Sequence, residues 1–393
     1  MWGGARRRNA PDLLMRVVTR QAYRRWTIVA AGAALLCGLP ALIAAWPVPA
    51  TAVSSAQLRA RILASAGVPY QGYAESNVDL GLPSLPDLGN VTSLLDGITD
   101  QYAWYLSADK WRADVLTSAG ETDTYQSSEF GTYQWNYSSD LLTQILGSEP
   151  VRLPRAADLL PPALAQRLLS YAGSATRVSA LPARRIAGVD AAGLRLTPAG
   201  STSTISAVDV WADSRTGLAV EVEIFGRYST APVLVSQFLS VSFARPAAAT
   251  LTPNLSQAVN FATSSLPDVT RIVNGYGPAL PPSLGGVARV AGVPGLPDVA
   301  AYGSGLARFA VVPLPYSTGQ SLIQAASSAG VTVHLGSGTA VIIQTPLVTV
   351  LVSQQSFGPI YLLAGTVTAT ALEHAAQQLS DQLHHLIIVG GQP

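Results

Sequence analysis

At 393 residues with 48% hydrophobic side chains, the chain is long enough for two domains with sizeable cores. Only 12% of residues are charged and the formal net charge is +1, which provides no field for a polyanion and excludes nucleic acid as a partner. The single cysteine, Cys37, lies in an apolar stretch near the N-terminus, which excludes a disulfide framework or a cysteine metal site in the folded part.

Arg6, Arg7, Arg8, Arg20, Arg24 and Arg25 precede an uncharged run from Trp26 to Trp46, WTIVAAGAALLCGLPALIAAW. A bilayer core needs about 20 such residues, and an aromatic at each end suits its interfaces. The run reads as one transmembrane helix at the cell membrane, with residues 1–25 cytoplasmic and the main body extracytoplasmic. The small-x-small sequence Ala50-Thr51-Ala52 keeps a cleaved signal open beside a retained anchor. Lipid attachment at Cys37 is a third reading, although Leu36 stands where such a signal wants a small residue. All three carry the residues after Val53 across the membrane.

Beyond the run, AQLRARILAS (56–65) sets Leu58, Ile62 and Leu63 against Arg59 and Arg61, the pattern of a short amphipathic helix. A Pro/Gly-punctuated strand and loop follow, then a helical turn at 91–98. From Thr99 to Ser139 four segments alternate with period two, which predicts a meander of antiparallel strands. In it Tyr102 and Trp104 share a face with Leu106, Trp111 with Ala113 and Val115, and Trp135 with Tyr133 and Tyr137. Such faces are either packed core or the lining of a cleft. A helical passage at 155–171 leads to further strands and to the hairpin 208–226, whose apolar positions Val208, Val210, Val222 and Ile224 alternate with Asp209, Trp211, Glu221 and Glu223. Glu221 and Glu223 read as a solvated face. The strand at 232–244 closes a large antiparallel sheet and a first domain over 54–250. Residues 251–300, rich in Pro, Gly and Ala, read as a linker. The alternation of strands and helices over 301–386 predicts a small second α+β domain.

The residues that would carry catalysis are sparse. His334, His374, His384 and His385 have no H-x-x-x-H spacing, Lys110 is the sole lysine, and no G-x-S-x-G occurs. No enzyme, metal or cofactor is expected.

The order of LRARILASA, PYQGYAES, the aromatic meander, RIAGVDAAGLRLTPAG, VDVWADSRTGL and SQFLSVSF resembles the lipoprotein-carrier (LolA-like) superfamily, and within it the RseB-like regulators of an envelope-stress sigma factor. YGSGLARFAVVPLP through YLLAGTVTATALEHAAQQL is similar to the small C-terminal domain of that group. The arginine-rich, nearly lysine-free composition suits a high-GC bacterial source. The resemblance implies an α+β fold: a large, curved antiparallel sheet forming an unclosed half-barrel, plugged by helices, with the second domain appended. It implies a hydrophobic cleft for lipid or lipoprotein acyl chains, with Tyr102, Trp104, Trp111, Trp135, Val222, Ile224 and Leu239 as the candidate lining. The retained anchor departs from freely diffusing carriers and, with two bodies joined through the Pro/Gly-rich passage, reads as a tethered envelope sensor that acts through an adjustable interface on a membrane protein such as an anti-sigma factor or transporter. The alternative is a lipid or lipoprotein carrier.

Overall fold

Ser54 opens the first helix of the folded body. Its hydroxyl accepts from the Gln57 amide while the Gln57 side chain accepts from the Ser54 amide, a reciprocal capping box. Helix α1, Ser55–Ala64, buries Leu58 and Ile62. In the computed structural model the described residues are 25–31, 48, 53–81, 94–118, 120–146, 154–255, 260–265, 277–293, 296–336, 338–355 and 358–390. Residues 25–31 are helical and belong to a unit of their own, Met1–Val48. The rest of the expected span, with Cys37 and the arginines before Arg25, lies outside the described residues, among which no helix is long and apolar enough to cross a membrane.

Twelve strands form one open sheet: β1 Tyr70–Asp79, β2 Asp96–Ser107, β3 Lys110–Thr117, β4 Gly120–Ser127, β5 Gly131–Asn136, β6 Leu141–Leu146, β7 Arg177–Ile186, β8 Val189–Thr197, β9 Ile205–Asp213, β10 Ala219–Gly226, β11 Pro232–Ser242 and β12 Asn260–Ser265. Their spatial order is β12-β6-β5-β4-β3-β2-β1-β11-β10-β9-β8-β7, antiparallel except where β12 lies parallel on β6. The two edge strands do not pair with each other, so the sheet stays unclosed. The turn expected at 91–98 is strand from Asp96 onward, because β2 continues to pair with β1 as far as Asp96 opposite Asp79.

Helix α2, Pro161–Tyr171, starts on two prolines, whose missing N–H groups have no partner to lose in a first turn. Together α1 and α2 cover the β8–β11 half of one sheet face. Leu58, Ile62, Leu164, Leu168 and Leu169 pack there on Leu194, Leu196, Val208, Val210, Val222 and Ile224. Burial of each such side chain contributes about 1.5–3 kcal/mol. The β9–β10 turn ends against α1: a Cβ on Gly217, whose φ is +76°, would meet the Arg61 carbonyl group at 2.3 Å. The Arg61 guanidinium donates to the Ser214 carbonyl across the same contact.

The stretch read as a linker supplies strands instead. Besides β12, it carries β13 Ser283–Leu284, β14 Val287–Val293 and most of β15 Leu296–Ser304. Gly285 and Gly286, with φ of +59° and +77°, make the two-residue turn that pairs β13 with β14. With β16 Ala307–Leu314, β17 Val331–Leu335, β18 Gly338–Gln344, β19 Thr349–Gln355 and β20 Ile360–Gly365 they form an eight-stranded antiparallel sheet, packed by α3 Tyr316–Ser327 and α4 Ala369–Gly390.

The two sheets belong to one unit, Pro49–Pro393, and join along a hydrogen-bonded seam. The Thr204 amide donates to the Thr366 carbonyl at 3.1 Å and the Thr368 amide to the Thr202 carbonyl at 2.8 Å, flanking a bridge between Ser203 and Val367. The Thr204 hydroxyl donates to the Leu347 carbonyl. The Leu347 side chain, from the β18–β19 turn, is buried in the core that α1 and α2 make with the first sheet, and Leu306 joins it. Arg308 lies over the Tyr171 ring at 4.5 Å. An apolar plug and paired backbone replace the adjustable interface expected from the sequence. Leu347→Ala should cost about 2–4 kcal/mol. Trp104, Trp111, Trp135 and Trp211 all lie in the first sheet. Their fluorescence should therefore report the loss as a lower denaturant midpoint; an unchanged midpoint contradicts the seam.

Candidate functional site: a half-covered sheet face

The β2–β6 half of the face that carries the helices is not filled by them. Period-two alternation and the observed register place Gln101, Ala103 and Tyr105 of β2 beside Val115, Ala113 and Trp111 of β3. Next come Thr122 and Thr124 of β4, then Asn136 and Gln134 of β5. Pro154, Arg155, Ala156 and Ala157 line the opposite wall, and between them lies a cavity of about 580 Å³. Trp111, Ala113 and Val115, with Leu94 and Ile145, form its apolar part, whereas Thr99, Thr122, Thr124, Gln134 and Asn136 contribute hydroxyls and amides. Arg155 is the one charged side chain on its lining. A concave, mixed, mostly uncharged lining of this kind suits an amphiphilic small molecule.

Of the seven candidate lining residues, Trp111 alone lines this cavity. Trp104 stands opposite Arg112, and Tyr102 opposite Asp114, so both project from the other face of β2 and β3. Trp135 pairs with Asp123 on that same outer face and is buried with Tyr125, Tyr133 and Leu142. Val222 and Ile224 belong to the core beneath the helices. Leu239 lies at the register shift between β1 and β11 and is 47% exposed. The structure therefore brings Tyr102 and Trp104 together, at 6.0 Å between rings, away from this cavity, and Trp104 meets Trp111 only at the lining of a smaller cavity of about 160 Å³.

The outer face holds the strongest electrostatics. Arg112 donates to Asp114 Oδ1 and to Asp123 Oδ2, both at 2.6 Å, and its guanidinium lies 4.9 Å from the Trp104 ring centroid and 4.8 Å from that of Tyr125. The Tyr125 and Tyr137 hydroxyls donate to the same Asp123 oxygen. Asp114, Glu121 and Asp123 gather within metal-ligand range, the only such group among the described residues, but Arg112 already supplies the cation. Farther along the sheet, Arg184 lies 3.7 Å from the Trp211 ring centroid and binds Glu221 at 3.2 Å and Glu223 at 2.8 Å. Glu221 is thus buried rather than solvated, because Arg184 reaches across from β7 to cover it. Neither cluster contains a nucleophile with a base. The one Ser-x-x-Lys spacing, Ser107 to Lys110, falls in the β2–β3 turn, where the Ser107 hydroxyl donates to Asp109 at 2.6 Å.

The class defined by these features is an α+β protein whose open, helix-plugged sheet retains a ligand-sized cavity. The chain is similar to the solved structure of Pseudomonas aeruginosa MucB in its complex with MucA, at 17% identity over 82% of this chain and 96% of that one, with a TM-score of 0.47. It is similar also to MucB in complex with MucA(peri), at 17% identity over 81% of this chain and 96% of that one, TM-score 0.45. To the LolA superfamily protein NE2245 from Nitrosomonas europaea it is 11% identical over 51% of this chain and 99% of that one, TM-score 0.23. No protein-family model and no curated protein matches the chain.

Two carboxyls are displaced far above their ordinary range. Burial pushes Asp114 up to about 7, with Arg112 opposing and the Asp123 charge assisting. Burial also pushes Glu221 up to about 7, and its contact with Glu223 adds to the shift. Both values lie above the ordinary carboxylate range, so the folded state holds protons that the unfolded chain releases, and stability falls as pH rises from about 4.5 to about 7. Thermal unfolding should therefore have a higher midpoint near pH 5.5 than near pH 7.5, with Glu221→Gln narrowing the gap. A gap unaltered by Glu221→Gln contradicts the assignment.

Proposed function

We propose that this chain is a non-enzymatic, extracytoplasmic binder of an acyl chain or lipid, held at the cell membrane by its N-terminal apolar run. In this reading it acts as an envelope regulator, answering to lipid occupancy and engaging a membrane partner such as an anti-sigma factor. The observation that carries the binding reading is the cavity of about 580 Å³ above β3, walled by Trp111, Ala113 and Val115. A lipid chain laid on those side chains gains about 0.8 kcal/mol for each methylene removed from water, which suffices for capture without a charged anchor. A tether favours local action over transport. A body fixed to the bilayer reaches only as far as its connecting chain extends, at most about 3.6 Å per residue, so it suits a regulator better than a diffusing carrier.

Purified full-length protein, extracted with organic solvent and examined by mass spectrometry, should yield a reproducible lipid, and the delipidated protein should bind a fluorescent fatty acid. Val115→Arg, which places a charge in the apolar part of the cavity, should weaken that binding at least about tenfold. Leu239→Arg, on the exposed strand, should leave it unchanged. Absence of both lipid and probe binding refutes the reading; equal loss in the two variants moves the site away from the cavity.

A further inference from the structure

One residue beside the cavity is out of keeping with its surroundings. Gln101 is 0% exposed, and neither its Oε1 nor its Nε2 has a hydrogen-bond partner among the described residues. A side-chain amide carries two donors and an acceptor, and burying all of them unpaired is costly. Other polar groups in the same layer are paired: the Ser76 and Ser236 hydroxyls both donate to the Leu159 carbonyl.

The register fixes where Gln101 points. It stands between Ala74 of β1 and Val115 of β3, on the face that bears the cavity. Val115 beside it and Thr99 two residues before it both line that cavity. Directly opposed residues have Cβ atoms about 5 Å apart, within the reach of a glutamine rotamer change. Gln101 is therefore an unsatisfied amide at the inner edge of the proposed lipid site.

We infer that Gln101 anchors the polar end of the ligand, and that this ligand is a neutral amphiphile whose head offers a hydroxyl or amide. The inference rests on the lipid-binding reading and adds the head-group class to it. A neutral amide is complemented by a group that both donates and accepts. A carboxylate or phosphate brought to Gln101 would lose its hydration against a neutral amide, because the one charged side chain of the lining, Arg155, belongs to the opposite wall. Thr122, Thr124, Gln134 and Asn136 across the floor offer further hydroxyls and amides to a polyhydroxylated head.

The test uses three probes of one chain: monooleoylglycerol, methyl oleate and oleate. Each competes with N-phenylnaphthylamine on the delipidated full-length protein. Monooleoylglycerol should bind about tenfold tighter than either of the others, a margin of about 1.4 kcal/mol. Gln101→Leu should erase that margin while all three still displace the dye, and should raise the thermal midpoint of the ligand-free protein because the unpaired amide is gone. Gln101→Met, of similar length, serves as the second apolar variant. Equal affinities in the wild type, or a margin that survives both substitutions, overturns the anchor while leaving lipid binding intact. A lowered midpoint in both variants also overturns it, since the amide is then satisfied within the protein. Failure of every probe to displace the dye, with no lipid recovered by extraction, overturns the lipid-binding reading itself.

Discussion

Strands lie about 4.8 Å apart, so a sheet of twelve spans roughly 50 Å, whereas α1 and α2 are 10 and 11 residues long and each is only about 10 Å across. Two such helices cannot cover the whole face. They settle where aliphatic side chains are densest, over Leu194, Leu196, Val208, Val210, Val222 and Ile224, and leave the neighbourhood of β3 to β5 without an α-helix among the described residues. On that side the side chains change character: threonine, glutamine and asparagine follow one another across β4 and β5. Limited cover and the change in lining have one origin, since polar side chains are tolerated where no helix demands an apolar partner. The cavity is the geometrical remainder of this arrangement.

The outer face solves its own exposure differently. Arg112 is stacked near Trp104 and Tyr125 and tied to Asp114 and Asp123; Arg184 covers Trp211 and binds Glu221 and Glu223; Arg195 lies 5.5 Å from the Phe225 ring centroid and binds Asp209. In each case a planar guanidinium lies against an aromatic ring while its edge satisfies acids on the same strand or on another strand of the sheet. A lysine cannot do both, because its ammonium is a point charge without a flat surface. The scarcity of lysine in this chain thus has a structural counterpart in the sheet as well as a compositional one.

Much of this was legible in the residues. The strand meander and both helices follow from period-two runs and amphipathic spacing, and the unclosed, helix-plugged α+β architecture is what the family resemblance implied. The site was less legible. Alternation correctly separates Trp111, Ala113 and Val115 from their neighbours, but it assigns two faces to a strand without saying which one a helix leaves uncovered. Trp104 and Trp135 looked like companions of Trp111, and only the cross-strand register with Arg112 and Asp123 shows that they point the other way. Gln101 gave no signal because it differs from a surface glutamine solely in being enclosed. The 251–300 stretch was obscured by its composition, although SLGGVARV places a Gly-Gly turn between two short apolar runs.

The seam at Ser203–Val367 and the seating of Leu347 have a consequence for how such a protein can be inherited. A second sheet that merely hung from a linker could be exchanged, duplicated or lost as a cassette. Here the β18–β19 turn is a key cut for a particular lock: the backbone of residues 202–204 and a socket beside the helices. Recombination that brought in a foreign second sheet would leave that socket open to water unless its turn carried a side chain of matching shape. The two sheets are therefore expected to diverge in concert, as halves of one heritable piece.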